Sequence, residues 1–411
     1  MSAGREAWTL RRLLQKVRHV LHHQRSASVA PDGQPKGRVL VSYIHEPFLR
    51  GAGELPRTHV HYWRTYEIVR IFLELGYAVD VISYHNRTFR PRHEYVLFTD
   101  PRWNLERLSD RLNDDCLRVM MIDTANMTFQ NAAETRRLLD LQERRGFTLR
   151  PRRFEYPNHG IEYADCATIV GNDVTMSTYR YAGKPLLPVP VNPAVAMDHI
   201  PDRNLGAVRN RFLWFGSGGM VHKGLDLVLE VFARNPDLEL VVVGPVEREA
   251  DFVHAYRREL YDLPNIETMG WMDVSGARFR QVLGSVVGMV YPSCSEGQSG
   301  TAALTMHAGV IPICSRESGL DIEPDVGIML DDCSLEAIED AVRSVAGRSD
   351  ANLAAMSEQA HRYAATHHSA EAFVSRYRSL AEDLLADPAS YRSRPLGPRT
   401  SATSPAGSPP G

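Results

Sequence analysis

The sequence contains little cysteine, no long apolar run and almost no excess of charge of either sign. Its 411 residues include five cysteines, and no two of them form a Cys-x-x-Cys pair. An odd, scattered set of this kind favours a reducing compartment over a disulfide framework or a zinc ribbon. No apolar run reaches the ~20 residues that a helix needs to cross a bilayer. We therefore expect a cytoplasmic protein without a transmembrane segment.

The charge balance and the absence of a P-loop narrow the function classes further. Lys plus Arg numbers 47 and Asp plus Glu numbers 50, which gives a net charge of −3. Such a balance carries no global signal for nucleic-acid binding. The sequence Gly-x-x-x-x-Gly-Lys-[Ser/Thr] that would cradle a nucleotide triphosphate is also absent. We therefore predict no nucleic-acid partner and no P-loop.

Length and pattern predict two α/β domains. The apolar content of 43% and charged content of 24% are ordinary for a globular protein. Strands and helices alternate from Arg38 onward, as in a doubly wound parallel sheet, and alternate again after a proline-dense hinge at 185–202. The sequence therefore predicts two tandem Rossmann-like domains, 38–195 and 196–368, with a ligand cleft between them.

The two ends of the chain differ from this pattern. Residues 1–37 predict a basic amphipathic helix followed by a linker at 26–36, and residues 387–411, rich in Pro, Ser and Gly, predict a disordered tail. The helix carries the cations Arg5, Arg11, Arg12, Lys16, Arg18 and Arg25 against the single acid Glu6. Such a helix can lie in an anionic membrane interface, although packing on protein and an organelle presequence remain alternatives. We expect residues 1–26 to contact a membrane surface.

The stretch with the strongest functional signal is 291–315. The apolar run that leads into it, 286–291, predicts a strand, and the stretch then predicts a turn rich in Gly and Ser at 292–300, a helix at 301–308 and a second strand at 310–314. Backbone N–H groups in the turn can converge where the helix begins, and unpaired N–H groups there bind phosphate or carboxylate. Glu296 is the one acid in the turn and would accept hydrogen bonds from sugar hydroxyl groups beside such an anion. A plain turn with capping Ser and Thr is the alternative. The residues of the turn that follow Glu296 are Gly297, Gln298, Ser299, Gly300 and Thr301.

A second glycine-rich loop, 216–224, follows the predicted strand 211–216 and carries Lys223 at the start of the next helix. Glycine permits close approach of the backbone to a ligand, and Lys223 would place a positive charge on a diphosphate. An exposed lysine after a tight turn is the alternative. The presence of both loops in one domain favours a phosphate-bearing ligand.

Three histidines lie in the loop after the first strand of the first domain, where a ligand crevice is expected: His45, His59 and His61. The His59-x-His61 spacing suggests a metal ion, but no helical i, i+4 pair, no neighbouring cysteine and no convincing third ligand accompany it. Two surface histidines on a loop explain the spacing without a metal ion, so we predict none. We assign the three histidines, together with Asn126, to the side of the cleft that binds an acceptor.

Four segments of the second half resemble a known family: 212–232 (FLWFGSGGMVHKGLDLVLEVF), 238–245 (LELVVVGP), 265–273 (NIETMGWMD) and 291–313 (YPSCSEGQSGTAALTMHAGVIPI). They are similar to the C-terminal half of retaining glycosyltransferases of the GT-B fold, the group 1 or family four type that includes bacterial polysaccharide and lipopolysaccharide transferases. The resemblance covers about residues 207–350, and the first half resembles the family in architecture only. It implies transfer of a hexose-type sugar from a nucleotide diphosphate sugar to a hydroxyl acceptor, either a saccharide or a lipid-linked one. No further cofactor is implied.

The resemblance also implies residue roles. Lys223 would contact the donor diphosphate, Glu296 the transferred sugar, and the 297–301 backbone the phosphates. Positive charge from Lys223 and helix dipoles would replace a metal ion on the leaving diphosphate, because no Asp-x-Asp pair is placed to hold one. The helix at 369–386 would cross back onto the first domain. The remaining positions implied in the donor site are Gly216, Ser217 and Gly218, with Gly270, Trp271 and Met272 at the nucleobase.

Three departures from the family pattern keep other functions open. Ser217 stands close to where the family commonly has an Arg, and Leu304 stands where it has a ribose-binding Glu. The histidine often found near the sugar has no clear counterpart in 123–131, where Asn126 is the nearest polar candidate. A catalytically silent subunit that partners an active transferase is therefore one alternative, recognisable because it consumes no nucleotide sugar. A nucleotide-sugar epimerase is another, recognisable by an isomeric product formed without an acceptor.

Overall fold

The computed structural model describes residues 22–50, 60–193, 195, 197 and 200–392. The strands are β1 (Ser26–Val29), β2 (Arg38–Tyr43), β3 (Ala78–Ser83), β4 (Leu97–Asp100), β5 (Leu117–Ile122), β6 (Cys166–Ile169), β7 (Leu186–Pro188), β8 (Arg211–Phe215), β9 (Glu239–Val243), β10 (Ile266–Gly270), β11 (Gly288–Tyr291), β12 (Ile311–Ser315) and β13 (Ile328–Leu330). The α-helices are α1 (Glu46–Arg50), α2 (Val60–Glu74), α3 (Asn104–Leu108), α4 (Met127–Arg145), α5 (Gly160–Tyr163), α6 (Asp173–Ser177), α7 (Leu205–Val208), α8 (Leu225–Arg234), α9 (Ala250–Ala255), α10 (Arg257–Tyr261), α11 (Ala277–Gly284), α12 (Gly300–His307), α13 (Leu335–Ala346), α14 (Asp350–His367), α15 (Ala370–Ala386) and α16 (Pro388–Tyr391).

These strands form two sheets. The first has the order β1-β3-β2-β4-β5-β6-β7 and the second the order β10-β9-β8-β11-β12-β13. Neighbouring strands are parallel, except that β1 runs antiparallel to β3. Parallel strands are covered by helices on both faces, which explains why β2, β3 and β9 are rich in Val, Ile and Leu and why β8 is apolar after its first residue. The two α/β units that the alternating pattern predicts are therefore present.

Side-chain alternation along the central strands divides the second domain into two apolar layers. Phe212 and Trp214 of β8 pack in one layer, whereas Leu213 and Phe215 pack in the other. Helices α8 and α13 cover the first layer, and α11 and α12 cover the second. Because successive side chains of a strand point to opposite faces, one strand contributes to both layers. This packing fixes the carboxyl ends of the strands, from which the loops of the cleft emerge.

The helix α15 belongs to the core of the first domain although it lies near the end of the chain. Its buried residues Phe373, Tyr377, Leu380 and Leu384 recur at helical spacing and pack in the same layer as Ile68 and Phe72 of α2. The ring of Tyr377 meets that of Phe72 edge to face, with centroids 6.5 Å apart. The chain therefore crosses from the second domain back to the first.

Three segments predicted to lack regular structure contain it. Strand β1 lies within the predicted linker 26–36, β7 lies within the predicted hinge 185–202, and α16 lies within the predicted tail 387–411. Both strands are short and lie at the edges of the first sheet. Edge strands tolerate proline, which is why β7 can end at Pro188. The basic helix predicted within 1–26 falls mostly on residues 1–21, and most of the tail falls on 393–411, both outside the described residues.

The five cysteines are free thiols, four of them buried and Cys333 partly buried. None of the helices in the described ranges has both the length and the apolar character needed to cross a bilayer.

Candidate active site

A cleft of about 600 Å³ lies between the two sheets, at the carboxyl ends of their strands. One wall comes from the first domain and includes Tyr43, Arg102 and Asp123, while the opposite wall includes Lys223 and Glu296. Ligands of open parallel sheets bind in this position. The cleft is therefore the candidate active site.

Four side chains meet on the second wall. Glu296 Oε1 accepts hydrogen bonds from Lys223 Nζ at 2.5 Å, from the Tyr291 hydroxyl at 2.8 Å and from Ser293 Oγ at 3.1 Å. Lys223 Nζ also donates to the Tyr291 hydroxyl oxygen at 2.7 Å. The bonds to one carboxylate oxygen fix the orientation of Glu296. The two residues singled out in separate loops of the sequence, Lys223 and Glu296, are in direct contact.

The charge of Glu296 follows from its surroundings. Burial alone would raise its pKa, but the positive charge of Lys223, with smaller contributions from His222 and Arg153, lowers that pKa to about 2. Burial lowers the pKa of the neighbouring His222 to about 4, and His222 Nε2 donates to the carbonyl oxygen of Ser295 at 2.6 Å. Glu296 is therefore an anion at neutral pH, able to accept hydrogen bonds from hydroxyl groups.

The loop that carries Glu296 is fixed by the first domain. Thr175 Oγ1 donates to the carbonyl oxygens of Glu296 and Gly297, at 3.2 Å and 3.1 Å. A Cβ atom on Gly297 would lie 2.4 Å from the carbonyl oxygen of Asp123 and 2.5 Å from that of Val170. Only glycine allows so close an approach to two backbone groups. The position of Glu296 thus depends on how the domains meet.

The start of α12 faces the cleft, as the sequence predicts. Ser299 caps the helix by accepting a hydrogen bond from the Ala302 N–H, and its hydroxyl lies 2.9 Å from that of Thr301. The first N–H groups of a helix have no acceptor within the helix, so those of Gly300 and Thr301 are available to an anion. Gln298, Ser299, Gly300 and Thr301 line the cleft, whereas Gly297 packs against the first domain.

The glycine-rich loop 216–224 reaches the cleft through Ser217 and Lys223. The buried Glu249 carboxylate accepts hydrogen bonds from the N–H groups of Gly219, at 2.5 Å, and Met220, at 3.2 Å. These amides are therefore occupied and cannot bind phosphate. Ser217 lines the cleft, but among the described residues of its lining Gly216 and Gly218 are absent.

The segment predicted to meet a nucleobase lies to one side of the cleft. Trp271 is 66% exposed and Met272 is buried, while Gly270 has a left-handed φ of 71° beside Glu247. None of these three belongs to the cleft lining within the described part of the chain. The apolar side chains that the second domain does contribute are Phe215, Val274 and Leu304.

The residues assigned to the acceptor side are divided. His61 lines the cleft, and its Nδ1 lies 2.5 Å from the Tyr43 hydroxyl. His45 is fully buried and Asn126 caps α4, so of the described residues assigned to this side only His61 reaches the lining. His59 lies outside the described residues.

Several charged residues of the first wall were not singled out from the sequence. Arg102 pairs with Asp123, Nη1 to Oδ1 at 2.9 Å, and with Glu155, Nη2 to Oε1 at 3.5 Å. Arg153 lines the cleft, and its side chain lies over Gly219, where a Cβ atom would be 2.5 Å from Arg153 Cγ. Within the described part of the chain, the buried Arg153 Nε has no hydrogen-bond partner. The signal that could have found this wall is the alternation at 153–156, where Arg153 and Glu155 line the cleft and the aromatic residues between and after them are exposed.

Comparison with known proteins confirms the predicted GT-B fold. Residues 209–348 match the family model of group 1 glycosyl transferases. The structure is similar to sucrose-phosphate synthase from Thermosynechococcus elongatus, with 15% identity and a TM-score of 0.60 over 86% of this chain and 100% of that one. It is also similar to Anabaena HepE, solved in complex with UDP and glucose, with 12% identity and a TM-score of 0.53 over 85% of this chain and 99% of that one.

A third solved structure, S. aureus TarM, is matched at 11% identity and a TM-score of 0.49, over 69% of this chain. The match spans 55% of the TarM chain, about half its length. No curated protein sequence matches this chain. The chain thus has the GT-B fold and carries a segment of the group 1 glycosyltransferase type.

Proposed function

We propose that the protein is a retaining glycosyltransferase that moves a hexose-type sugar from a nucleotide diphosphate sugar to a hydroxyl group of a saccharide or lipid-linked acceptor. The observation that carries the proposal is the contact of Lys223 with Glu296 beside the start of α12, in a cleft between two Rossmann-like sheets. The segment that supplies these residues matches group 1 glycosyl transferases. Retention is supported by the sequence resemblance.

The positive charge needed to hold a diphosphate is present on both walls. Lys223 and the first N–H groups of α12 come from the second domain, and Arg153 comes from the first. Charge on the diphosphate increases as its bond to the sugar breaks, and fixed positive groups in a water-poor site stabilise such a change. In this proposal these groups stabilise the leaving diphosphate in place of a metal ion. Arg153 supplies the positive charge that the family commonly obtains from an arginine near the position of Ser217.

Glu296 is suited to hold the transferred sugar. It is ionised, and its Oε1 atom is fixed by three hydrogen bonds, so the carboxylate can accept hydrogen bonds from sugar hydroxyl groups without reorganising. The acceptor would then approach from the first wall. The polar groups there, Tyr43, His61 and the Arg102–Asp123 pair, can bind hydroxyl groups of a saccharide.

The family pattern of polysaccharide and lipopolysaccharide transferases suggests a membrane-bound acceptor, and the basic segment 1–26 fits a peripheral contact with the inner face of the membrane. Pelleting with anionic vesicles tests this part of the proposal. Full-length protein should pellet more than protein lacking residues 1–26, and equal pelleting would contradict it.

A catalytically silent subunit is the second candidate. Ser217 and Leu304 both line the cleft at positions where the family carries a cation and a carboxylate. Loss of both contacts would weaken donor binding. If the protein is such a subunit, it should consume no nucleotide sugar, whether or not the acceptor of the active transferase that it partners is present.

The experiment begins with a thermal-shift screen of the purified protein against UDP, GDP, ADP, TDP and their common sugars, because a ligand that binds the native state raises its stability. Sugar transfer or donor consumption is then measured for the donor that binds. Glu296→Gln and Lys223→Met should each reduce turnover by about 100-fold or more, whereas the exposed Glu323→Gln should retain it. Wild-type turnover in either cleft variant would refute the residue roles, and no shift with any nucleotide would favour the silent subunit.

A further inference from the structure

A cluster of metal-ligating side chains lies outside the cleft, at the junction of β2 and α1. His23, His45 and Glu46 each offer one ligand atom there, and these atoms lie within 4.8 Å of one another. We propose that this cluster binds one divalent transition-metal ion of the zinc class. The site is independent of the proposed transferase reaction.

His45 is the central ligand, because both of its ring nitrogens are accounted for. The ring is fully buried, and Nε2 lies 3.0 Å from the carbonyl oxygen of His22. A carbonyl oxygen only accepts, so Nε2 carries the proton and donates. A histidine that binds a metal through one nitrogen commonly donates from the other to a backbone carbonyl. The geometry therefore leaves Nδ1 as the ligand atom.

The Nδ1 atom faces a carboxylate. It lies 3.2 Å from Glu46 Oε2, and within the described part of the chain no hydrogen-bond partner satisfies it. An imidazole lone pair and a carboxylate oxygen at this distance repel each other unless a positive charge compensates. That charge is either a second proton on the ring or a cation held between the two atoms. The ligand atoms of His23, His45 and Glu46 lie within 4.8 Å of one another, so a single cation could contact all three.

Two further imidazoles border the carboxylate and the ring. His22 Nε2 lies 3.6 Å from Glu46 Oε1, and the ring centroid of His22 is 5.1 Å from that of His45. His23 is oriented by Ser83, whose Oγ lies 3.0 Å from His23 Nδ1. His22 is not one of the three clustered ligands but lies beside Glu46. Each ligand thus comes with a neighbour that limits its rotation.

The composition of the cluster selects the class of ion. Imidazole nitrogen suits zinc and the neighbouring transition metals, whereas magnesium and calcium prefer sites made of oxygen alone. Two or three imidazoles with one carboxylate form a set that binds Zn²⁺ in four-coordinate sites. The cluster contains no cysteine, so the bound ion would not depend on a reduced thiol.

The bound ion would join two separate parts of the first domain, and the contact of His23 with Ser83 adds a third. His23 precedes β1, His45 and Glu46 follow β2, and Ser83 ends β3. An ion held by His23, His45 and Glu46 would fix the segment before β1 to the carboxyl end of β2, next to the cleft. Because the folded state binds the ion and the unfolded chain does not present the same set, metal binding adds to the stability of the first domain.

The test uses the full chain, freed of any affinity tag and stripped with a chelator. Calorimetric titration with Zn²⁺ should show one tight equivalent, and Co²⁺ should give the visible absorption of a low-coordinate nitrogen and oxygen site. Zn²⁺ should raise the melting temperature, and Mg²⁺ at the same concentration should not. Binding that requires many equivalents, or no binding, would overturn the proposal.

Variants locate the site. Glu46→Gln keeps the shape of the side chain and should weaken Zn²⁺ binding by about 10-fold or more, because loss of a residue that only orients a ligand already costs about 10–100-fold and Glu46 is itself a ligand. The exposed His93→Asn is the matched control and should bind as the wild type does. His23→Asn provides a second ligand variant that does not disturb a fully buried ring. Equal affinity in Glu46→Gln, His23→Asn and the control would show that zinc binds elsewhere.

Discussion

The charged groups around Glu296 come from side chains that lie far apart in the sequence. Lys223 holds Glu296 directly, while Arg153 approaches from the other wall over Gly219 and contributes to the low pKa of Glu296. A glycine is required opposite Arg153 because any Cβ atom there would overlap its side chain. Arg153 is thus built into the site rather than exposed beside it.

Replacing Arg153 tests this role. Arg153→Gln should weaken binding of the preferred nucleoside diphosphate by about 10-fold or more, because a charge-assisted hydrogen bond contributes about 1.5–3 kcal/mol. Calorimetric titration of the nucleotide measures the change. The exposed Arg150→Gln serves as control, and an unchanged Kd in Arg153→Gln would remove Arg153 from the donor site.

Single site residues can be predicted from the sequence where they lie in a recognisable local pattern of strand, loop and helix. Lys223 and Glu296 each lie between a buried strand and a helix start, so a rule about strand-to-helix loops finds them. Asp123 also follows a buried strand, β5, and precedes α4, so the same rule could have found it. Arg153 lies in the long segment between α4 and α5, which has no strand-to-helix pattern. His45 follows a strand as predicted, but burial within its own domain, which a local pattern does not reveal, takes it away from the cleft.

The loop before α12 is the element on which the site depends most. Its backbone is clasped between Thr175 and the carbonyl oxygens of Asp123 and Val170. Its side chain Gln298 accepts a hydrogen bond from the Val191 N–H at 2.7 Å. A change in the loop therefore alters the contact between the domains and the position of Glu296 together.

Gly297→Ala should disturb both the contact between the domains and the position of Glu296. The added methyl group would overlap two backbone carbonyl oxygens that cannot rotate away, and overpacking of this kind costs about 1–3 kcal/mol of the free energy of unfolding. Urea denaturation measures this loss, and turnover should fall in parallel. Gly284→Ala is the control, since its Cβ atom would meet Pro201 at an ordinary 3.6 Å. Equal stability of the two variants would show that the close contact of Gly297 with the carbonyl oxygens of Asp123 and Val170 is not needed.

Elements with strong periodicity were predictable and short edge elements were not. The Val-rich strands β2, β3 and β9 and the amphipathic helix α2 follow from apolar spacing alone. Strand β1, with the sequence SASV, and β7, which ends in proline, carry no such signal. Each is formed because a neighbouring strand offers unpaired backbone groups, β3 in one case and β6 in the other.

Across the whole molecule, α4 of the first half is joined to the second half by ion pairs. Arg144 Nη2 binds Asp226 Oδ2 at 2.7 Å, and Arg145 Nη1 binds Glu259 Oε1 at 2.9 Å. Asp226 is fully buried, and within the described ranges its Oδ1 atom lacks a hydrogen-bond partner. Burying a carboxylate that is only partly compensated destabilises its charged form.

This carboxyl group makes stability depend on pH. Burial raises the pKa of Asp226 from 3.8 to about 6, although Arg137 and Arg144 oppose the rise. The folded state then binds the proton more tightly than the unfolded chain, so the contribution of this group to stability falls as pH rises from about 4 to about 6. At about 1.4 kcal/mol for each pH unit between the two values, the loss is about 3 kcal/mol.

Asp226→Asn removes this titration. Its free energy of unfolding, measured by denaturant at several pH values, should improve relative to the wild type as pH rises through this window. The exposed Asp110→Asn should follow the wild-type curve. Parallel curves for Asp226→Asn and the wild type would contradict the assignment.

The two-domain plan and its cleft were predictable from alternation and the hinge, because both are properties of long stretches of chain. The crossing of α15 was not readable from its spacing, which predicts a helix but not its partner. The family resemblance supplied that expectation. The cluster at His23, His45 and Glu46 was not predicted, since residues 23 and 45 are brought together only by the placement of β1 beside β3.

Because α15 packs on the first domain, that domain cannot be completed until almost the whole chain has been synthesised. The apolar surface of Ile68 and Phe72 emerges early from the ribosome, but the residues that cover it, Tyr377 and Leu384, emerge roughly 300 residues later. At about 5–20 residues per second this interval is on the order of 15–60 seconds. During that time the first domain carries an uncovered apolar surface that cellular chaperones can bind. The domain made first is completed last.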